Sequence, residues 1–122
     1  MKTDLMKLYE ESDDRKRIDR QYMEFCRLNG CIVTGNPNVE LHHLRHLRTD
    51  MFSGGMGMKP PDIMCIPLHH SLHRTGDYAI HRIGNLKFED CHRIDLRDEL
   101  KRLHERFMNE AGYKYPKDEI TA

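Results

Sequence analysis

The chain has 122 residues, which suits one compact domain and leaves too little for two good cores, and its 38% hydrophobic and 33% charged residues argue against full disorder. Twenty Lys and Arg balance twenty Asp and Glu, so no overall basic field attracts nucleic acid and any phosphate contact has to come from a local patch. No run approaches the roughly 18 apolar residues of a membrane span; with no signal segment and no Cys-x-x-Cys pairs, the expectation is a cytoplasmic chain without membrane contact, with Cys26, Cys31, Cys65 and Cys91 as small buried thiols.

Residues 4 to 28 carry Leu5, Leu8, Tyr9, Ile18, Tyr22, Phe25 and Cys26 among many charges with no Gly or Pro, which predicts a helix interrupted near Ser12. Cys31-Ile32-Val33-Thr34, then Gly35-Asn36-Pro37-Asn38, then Val39-Glu40-Leu41-His42 reads as two short strands around a turn, a hairpin with His42 at its end. If Val39 and Leu41 face the core, period-two alternation turns His42 to the opposite face and His43 back again. From Arg45 to Pro61 periodicity is absent and Gly54, Gly55, Gly57, Pro60 and Pro61 mark a long loop, the kind that usually carries function. Its Arg45, His46, Arg48 and Lys59 supply local positive charge. Ile63, Cys65, Ile66 and Leu68 lead into a segment that becomes helical by His69 and stops at Gly76, while residues 78 to 90 give no clear pattern. From Asp95, the spacing of Leu96, Leu100, Leu103 and Phe107, with Gly112 and Pro116 as stops, predicts a C-terminal packing helix.

Nine histidines in this length are an excess, concentrated in His42-His43 and His69-His70-Ser71-Leu72-His73. On a helix His69 and His73 lie about 40° apart around the axis and ~6 Å along it, so both reach one ion. His42 then completes a three-imidazole shell open to water and a phosphate oxygen. His43, turned away from the ligands, is the candidate general base. His70 points about 100° from His69. His46, His81, His92 and His104 read as ordinary surface or partly buried residues, although Ile80-His81-Arg82 could bring another ligand to the site. Arg45, Arg48, Lys59 and Arg74 are either solvated charges or clamps for a DNA backbone. Met51, Met56, Met58 and Met64 suit gap filling better than soft-metal binding.

The order Cys31-Ile-Val-Thr34-Gly35, Val39-Glu-Leu-His42-His43-Leu-Arg45, Gly54-Gly55-Met-Gly57-Met-Lys59-Pro60-Pro61-Asp62, Ile66-Pro67-Leu68 and His69-x-x-x-His73-Arg-x-Gly76 resembles the HNH endonucleases. More narrowly it resembles small phage and prophage proteins of the recombination-enhancement nuclease type. The resemblance spans residues 26 to 90. It implies an α+β fold, a small ββα-metal finger (29–90) flanked by N-terminal (1–28) and C-terminal (91–122) helical segments in a single domain. It also implies a metal-dependent endonuclease that hydrolyses DNA phosphodiester bonds in recombination, repair or DNA processing, with DNA and recombination proteins as partners. By the same resemblance His42, His69 and His73 hold one divalent ion (Zn, Mg, Mn or Ni, with zinc as the bound form) and His43 is the base. Asp62 falls near the place of the Asn that orients the base in many members. It is then an altered orienter, a carboxylate beside the metal, or a helix N-cap. Thr34 stands where the second Cys of a zinc knuckle would be, so a four-Cys knuckle is absent. The alternative is a metal-stabilised nucleic-acid-binding module without catalysis; a third possibility is a partner-binding protein that works through its terminal helices.

Overall fold

The structure, a computed structural model, describes residues 2–45 and 60–116. The fold is α+β. In chain order it has α1 (Asp4–Glu11), α2 (Arg15–Asn29), β1 (Glu40–His43), a 3-10 turn (Asp62–Met64), β2 (Cys65–Leu68), a π turn (Ser71–Thr75), α3 (Ile80–His92) and α4 (Leu96–Ala111).

The helical break expected near Ser12 falls there for a local reason. Ser12 is extended and its Oγ accepts the Asp14 N–H at 3.0 Å, a bond that competes with continued helix. Arg15 then reaches back, its guanidinium donating to the carbonyls of Tyr9 (3.1 Å) and Glu10 (2.7 Å) at the end of α1, where carbonyls lack the next helical turn. At the other end of α1, Thr3 Oγ1 accepts the Met6 N–H at 3.1 Å, an N-cap. α4 matches expectation, with Asp95 capping its start and left-handed Gly112 closing it.

The sheet differs from the hairpin expected over 31–42. β1 pairs antiparallel with β2, Glu40 opposite Leu68, Leu41 opposite Pro67, His42 opposite Ile66 and His43 opposite Cys65. Residues 31–36 instead close a tight loop, Cys31 N–H to Asn36 O and Gly35 N–H to Cys31 O, both at 2.9 Å. Gly30, at φ 86°, is fixed by this closure: a Cβ there would lie 3.2 Å from Gly35 O and 3.3 Å from Asn36 O. Although burial raises the Cys31 thiol, hydrogen bonds from the Thr34 hydroxyl and from backbone N–H groups of His69, Thr34 and Val33 lower it overall. Those bonds favour a turn over a strand. Ile32 N–H still reaches β2, donating to Pro67 O at 3.2 Å.

β2 is buried along its whole length, which explains why Cys65 to Leu68 shows no alternation and why the segment suggested an approach to a helix. A continuous apolar run of four cannot be told from a buried helical segment by period alone. Val39 and Leu41 pack against the core as expected, but His42, on the alternate face, is also buried at 8% exposure. Tyr22, Phe88, Leu5, Leu44, Ile63, Ile66, Leu68, Leu96 and Leu100 form the core, and Tyr22 donates its hydroxyl to Cys65 O at 2.9 Å, tying α2 to β2. Cys26, Cys31 and Cys65 are buried as expected, whereas Cys91 is exposed. Met64 is buried in the core; Met51, Met56 and Met58 fall outside the described residues, as do Gly54, Gly55 and Gly57. No helix among the described residues is long and apolar enough to cross a membrane.

Candidate metal centre

Pairing β1 with β2 delivers the chain after Leu68 beside β1, and the π turn and first turn of α3 then carry two histidines toward His42. His42, His73 and His81 converge, one ligand nitrogen from each lying within 4.8 Å of the others. The closest approach is His81 Nε2 to His73 Nε2, 3.0 Å. The ring of His42 stands edge-on to both, with centroids 5.0 Å from His73 and 4.9 Å from His81.

Electrostatics keep His42 and His81 in the form a metal requires, since an imidazole binds through an unprotonated nitrogen. Burial, reinforced by His73, His81, His43 and Arg74, pushes His42 down to about 3. Burial, then His73 and Arg74, also lowers His81. His73 donates its Nδ1–H to Glu40 Oε1 at 2.8 Å, which leaves the Nε2 lone pair facing His81. A carboxylate on the outer nitrogen of a ligating histidine is a recurrent support for metal sites. His73 in turn holds the Glu40 carboxyl below its ordinary range by hydrogen bonding.

The fit to an ion rests on one further atom. His42 Nδ1 is buried with no hydrogen-bond partner among the described residues, a condition that costs about 1–3 kcal/mol. A divalent cation among the three imidazoles would satisfy that nitrogen and suits the nitrogen donor set.

The cluster differs from the expected ligand set at one position. His69 does not join the group: its Nδ1 accepts the Ser71 N–H at 3.3 Å and lies 2.8 Å from Ser71 Oγ. His69 lies outside regular helix, ahead of the π turn, and its ring folds onto that turn's first residue. His81 stands where His69 was expected. The sequence signal was Ile80-His81-Arg82 at the start of a helix whose pattern is broken by Gly84, at φ 83°. Glu40 was also passed over, although it shares a strand face with His42 two residues on.

Beside the cluster, His43 donates its Nε2–H to Asp62 Oδ1 at 2.6 Å. The Asp62 carboxylate is thus paired with His43, and Pro61 rather than Asp62 is the residue that precedes the 3-10 turn. An open cavity of about 1140 Å³ runs past His42, His43, His73 and His81, with Arg45 and Arg74 on its walls. Arg48, Lys59 and His46 lie outside the described residues. His70 is exposed and faces Thr75, and half-buried His92 sits 3.4 Å from Tyr78 O. His104, read from the sequence as an ordinary surface or partly buried residue, is fully buried at 1% exposure.

No family model matches the chain, and no curated protein or solved structure matches it.

Proposed function

We propose that the chain is a metal-dependent nuclease that hydrolyses DNA phosphodiester bonds, with β1, β2 and the turn and helix after β2 serving as a ββα-metal finger. The observation that carries this reading is the meeting of three imidazoles, one with an orphaned buried nitrogen, next to a separate histidine–carboxylate pair. His42, His73 and His81 hold one divalent ion, and their nitrogen donors favour Zn²⁺, Ni²⁺ or Co²⁺ over Mg²⁺. When bound, the ion supplies Lewis-acid stabilisation of the charge that develops on the phosphate and its leaving oxygen.

The rest of the chemistry belongs to the chain. With Nε2–H held by Asp62, the Nδ1 of His43 is the basic nitrogen and takes a proton from the attacking water. Asp62 fixes the tautomer and offsets the positive charge the ring gains. Arg45 and Arg74, on the cavity wall, hold phosphates of the substrate backbone. Linkage to recombination follows from the sequence resemblance alone, so branched DNA belongs among the substrates to be tried.

The test combines metal analysis with cleavage of supercoiled, linear, single-stranded and branched DNA in Zn²⁺, Ni²⁺, Mn²⁺ and Mg²⁺. Wild type and His43→Ala should each bind one ion, with cleavage in the variant reduced about 10²–10⁴-fold. His73→Ala should lose the ion. Undiminished cleavage by His43→Ala removes His43 from the mechanism, and stoichiometric metal with no cleavage of any DNA form selects the non-catalytic binding module.

A further inference from the structure

The carboxylate that holds His43 sits on a three-residue turn, and the middle residue of that turn is gripped from two directions. Ile63, fully buried, donates its N–H to Asp19 Oδ1 on α2 at 3.0 Å. Its carbonyl accepts the Nε2–H of His104 on α4 at 2.6 Å. Each gripping side chain is itself held. Tyr9 on α1 donates its hydroxyl to Asp19 Oδ2 at 2.7 Å, and the Thr3 hydroxyl that caps α1 lies 2.6 Å from His104 Nδ1. Ordinary packing of a turn needs none of this. Here both polar groups of one residue are satisfied by side chains from helices remote in sequence, adjacent to the residue that meets His43.

We propose that Asp19 and His104 are positioning residues for the general base: by clamping Ile63 they hold Asp62 at hydrogen-bonding distance from His43. The inference rests on the reading of His43 as base, and it gives the terminal helices a task beyond packing. A catalytic pair has to be held within about 0.5 Å of its productive geometry by a supporting shell, and a three-residue 3-10 turn has too few internal bonds to do so alone. Asp19 acts through the Ile63 N–H, so an Asn at 19 serves as well. Its Oδ1 accepts the same bond and its amide donates to the Tyr9 oxygen.

The test uses the full chain and two readouts. Imidazole ¹⁵N–¹H spectra of wild type should show a His43 ring N–H slowed in exchange, assigned by its disappearance in Asp62→Ala. Asp19→Ala should lose that signal and Asp19→Asn should keep it. In cleavage assays kcat should fall about 10–100-fold in Asp19→Ala with KM within about twofold, and return in Asp19→Asn, a size typical of residues that support a metal or catalytic group from outside. Should Asp19→Ala fail to fold, hydrogen exchange of the wild-type Ile63 amide decides the matter, since the clamp requires protection as high as that of the α2 core. A His43 signal unchanged in Asp19→Ala, or an Ile63 amide that exchanges like an open loop, overturns the proposal. Because the spectra and exchange need no turnover, absence of cleavage by wild type would count against the nuclease reading without touching the clamp.

Discussion

His42 and His104 are alike in burial and opposite in provision. They are 8% and 1% exposed, and burial depresses both, to about 3 and about 4 respectively. His104 has a partner on each ring nitrogen, Thr3 on one side and the Ile63 carbonyl on the other, and it packs edge-on against Tyr22. His42 has an orphaned Nδ1 and two other imidazoles for neighbours. A buried histidine with both nitrogens satisfied is a structural tie; one with a lone pair unmatched is a place for a ligand. The contrast separates site from scaffold without reference to any known protein.

Metal linkage should break the symmetry between the two most strongly. At free Zn²⁺ near 1,000 times its Kd, a folded-state ligand adds about 4 kcal/mol of stability, so chelator should lower the urea midpoint of wild type sharply. In His42→Ala chelator should do nothing. Equal chelator effects in both proteins would mean that the ion binds elsewhere.

Substitution at His104 should cost stability whether metal is present or not. His104→Ala removes two hydrogen bonds and leaves a cavity beside Tyr22, together about 3 kcal/mol. The same value with zinc and with chelator is the signature of a scaffold residue, and a cost that vanishes on chelation would assign His104 to the metal centre.

Acid sharpens the same comparison through His104. Its unfolded-state value is 6.5 and its folded one about 4, so between these limits the unfolded chain binds the extra proton. Stability conferred by the neutral ring is therefore fully present above pH 6.5 and is lost as pH falls toward 4, by about 3 kcal/mol in all. Denaturation of chelated protein across this window should flatten in His104→Gln. A profile as steep as wild type would remove His104 as its cause.

The smallest effect is expected at Glu40, where Glu40→Gln keeps a hydrogen-bond acceptor for His73 but loses the charge. Zinc affinity should weaken about 10–100-fold, measured by competition with a chromophoric chelator. An unchanged affinity would reduce Glu40 to a surface carboxylate.

How far the sequence reveals this arrangement depends on whether the information is local. The helices at both ends are written in apolar spacing and capping residues, and even the break at Ser12 has a short-range cause. The separation of His42 from His43 follows from strand alternation, and three of the four residues read as ligands or base occupy the cavity in the fold. Strand pairing is non-local: nothing within Cys31–Thr34 states that β1 will pair with Cys65–Leu68, and the thiol-centred turn that displaces the expected strand needs the backbone of His69 to complete it. The replacement of His69 by His81 has the same origin, because a helical projection from His73 assumes a regular helix where the chain makes a π turn. His104 looks ordinary in the sequence because its partners, Thr3 and Ile63, are 101 and 41 residues away.

Gly84 has a consequence for how the centre could vary. A Cβ there meets no atom within 4 Å, yet φ of 83° with ψ of 169° is backbone that glycine alone adopts comfortably. The residue therefore acts as a clutch between His81 and the remainder of α3. Residues inserted or deleted beyond it would turn the far part of the helix and reshape the cavity wall formed by Asn85, Leu86 and Lys87 while His81 stayed seated opposite His73. Cavity shape and the approach of His81 to His73 can drift independently across that single peptide.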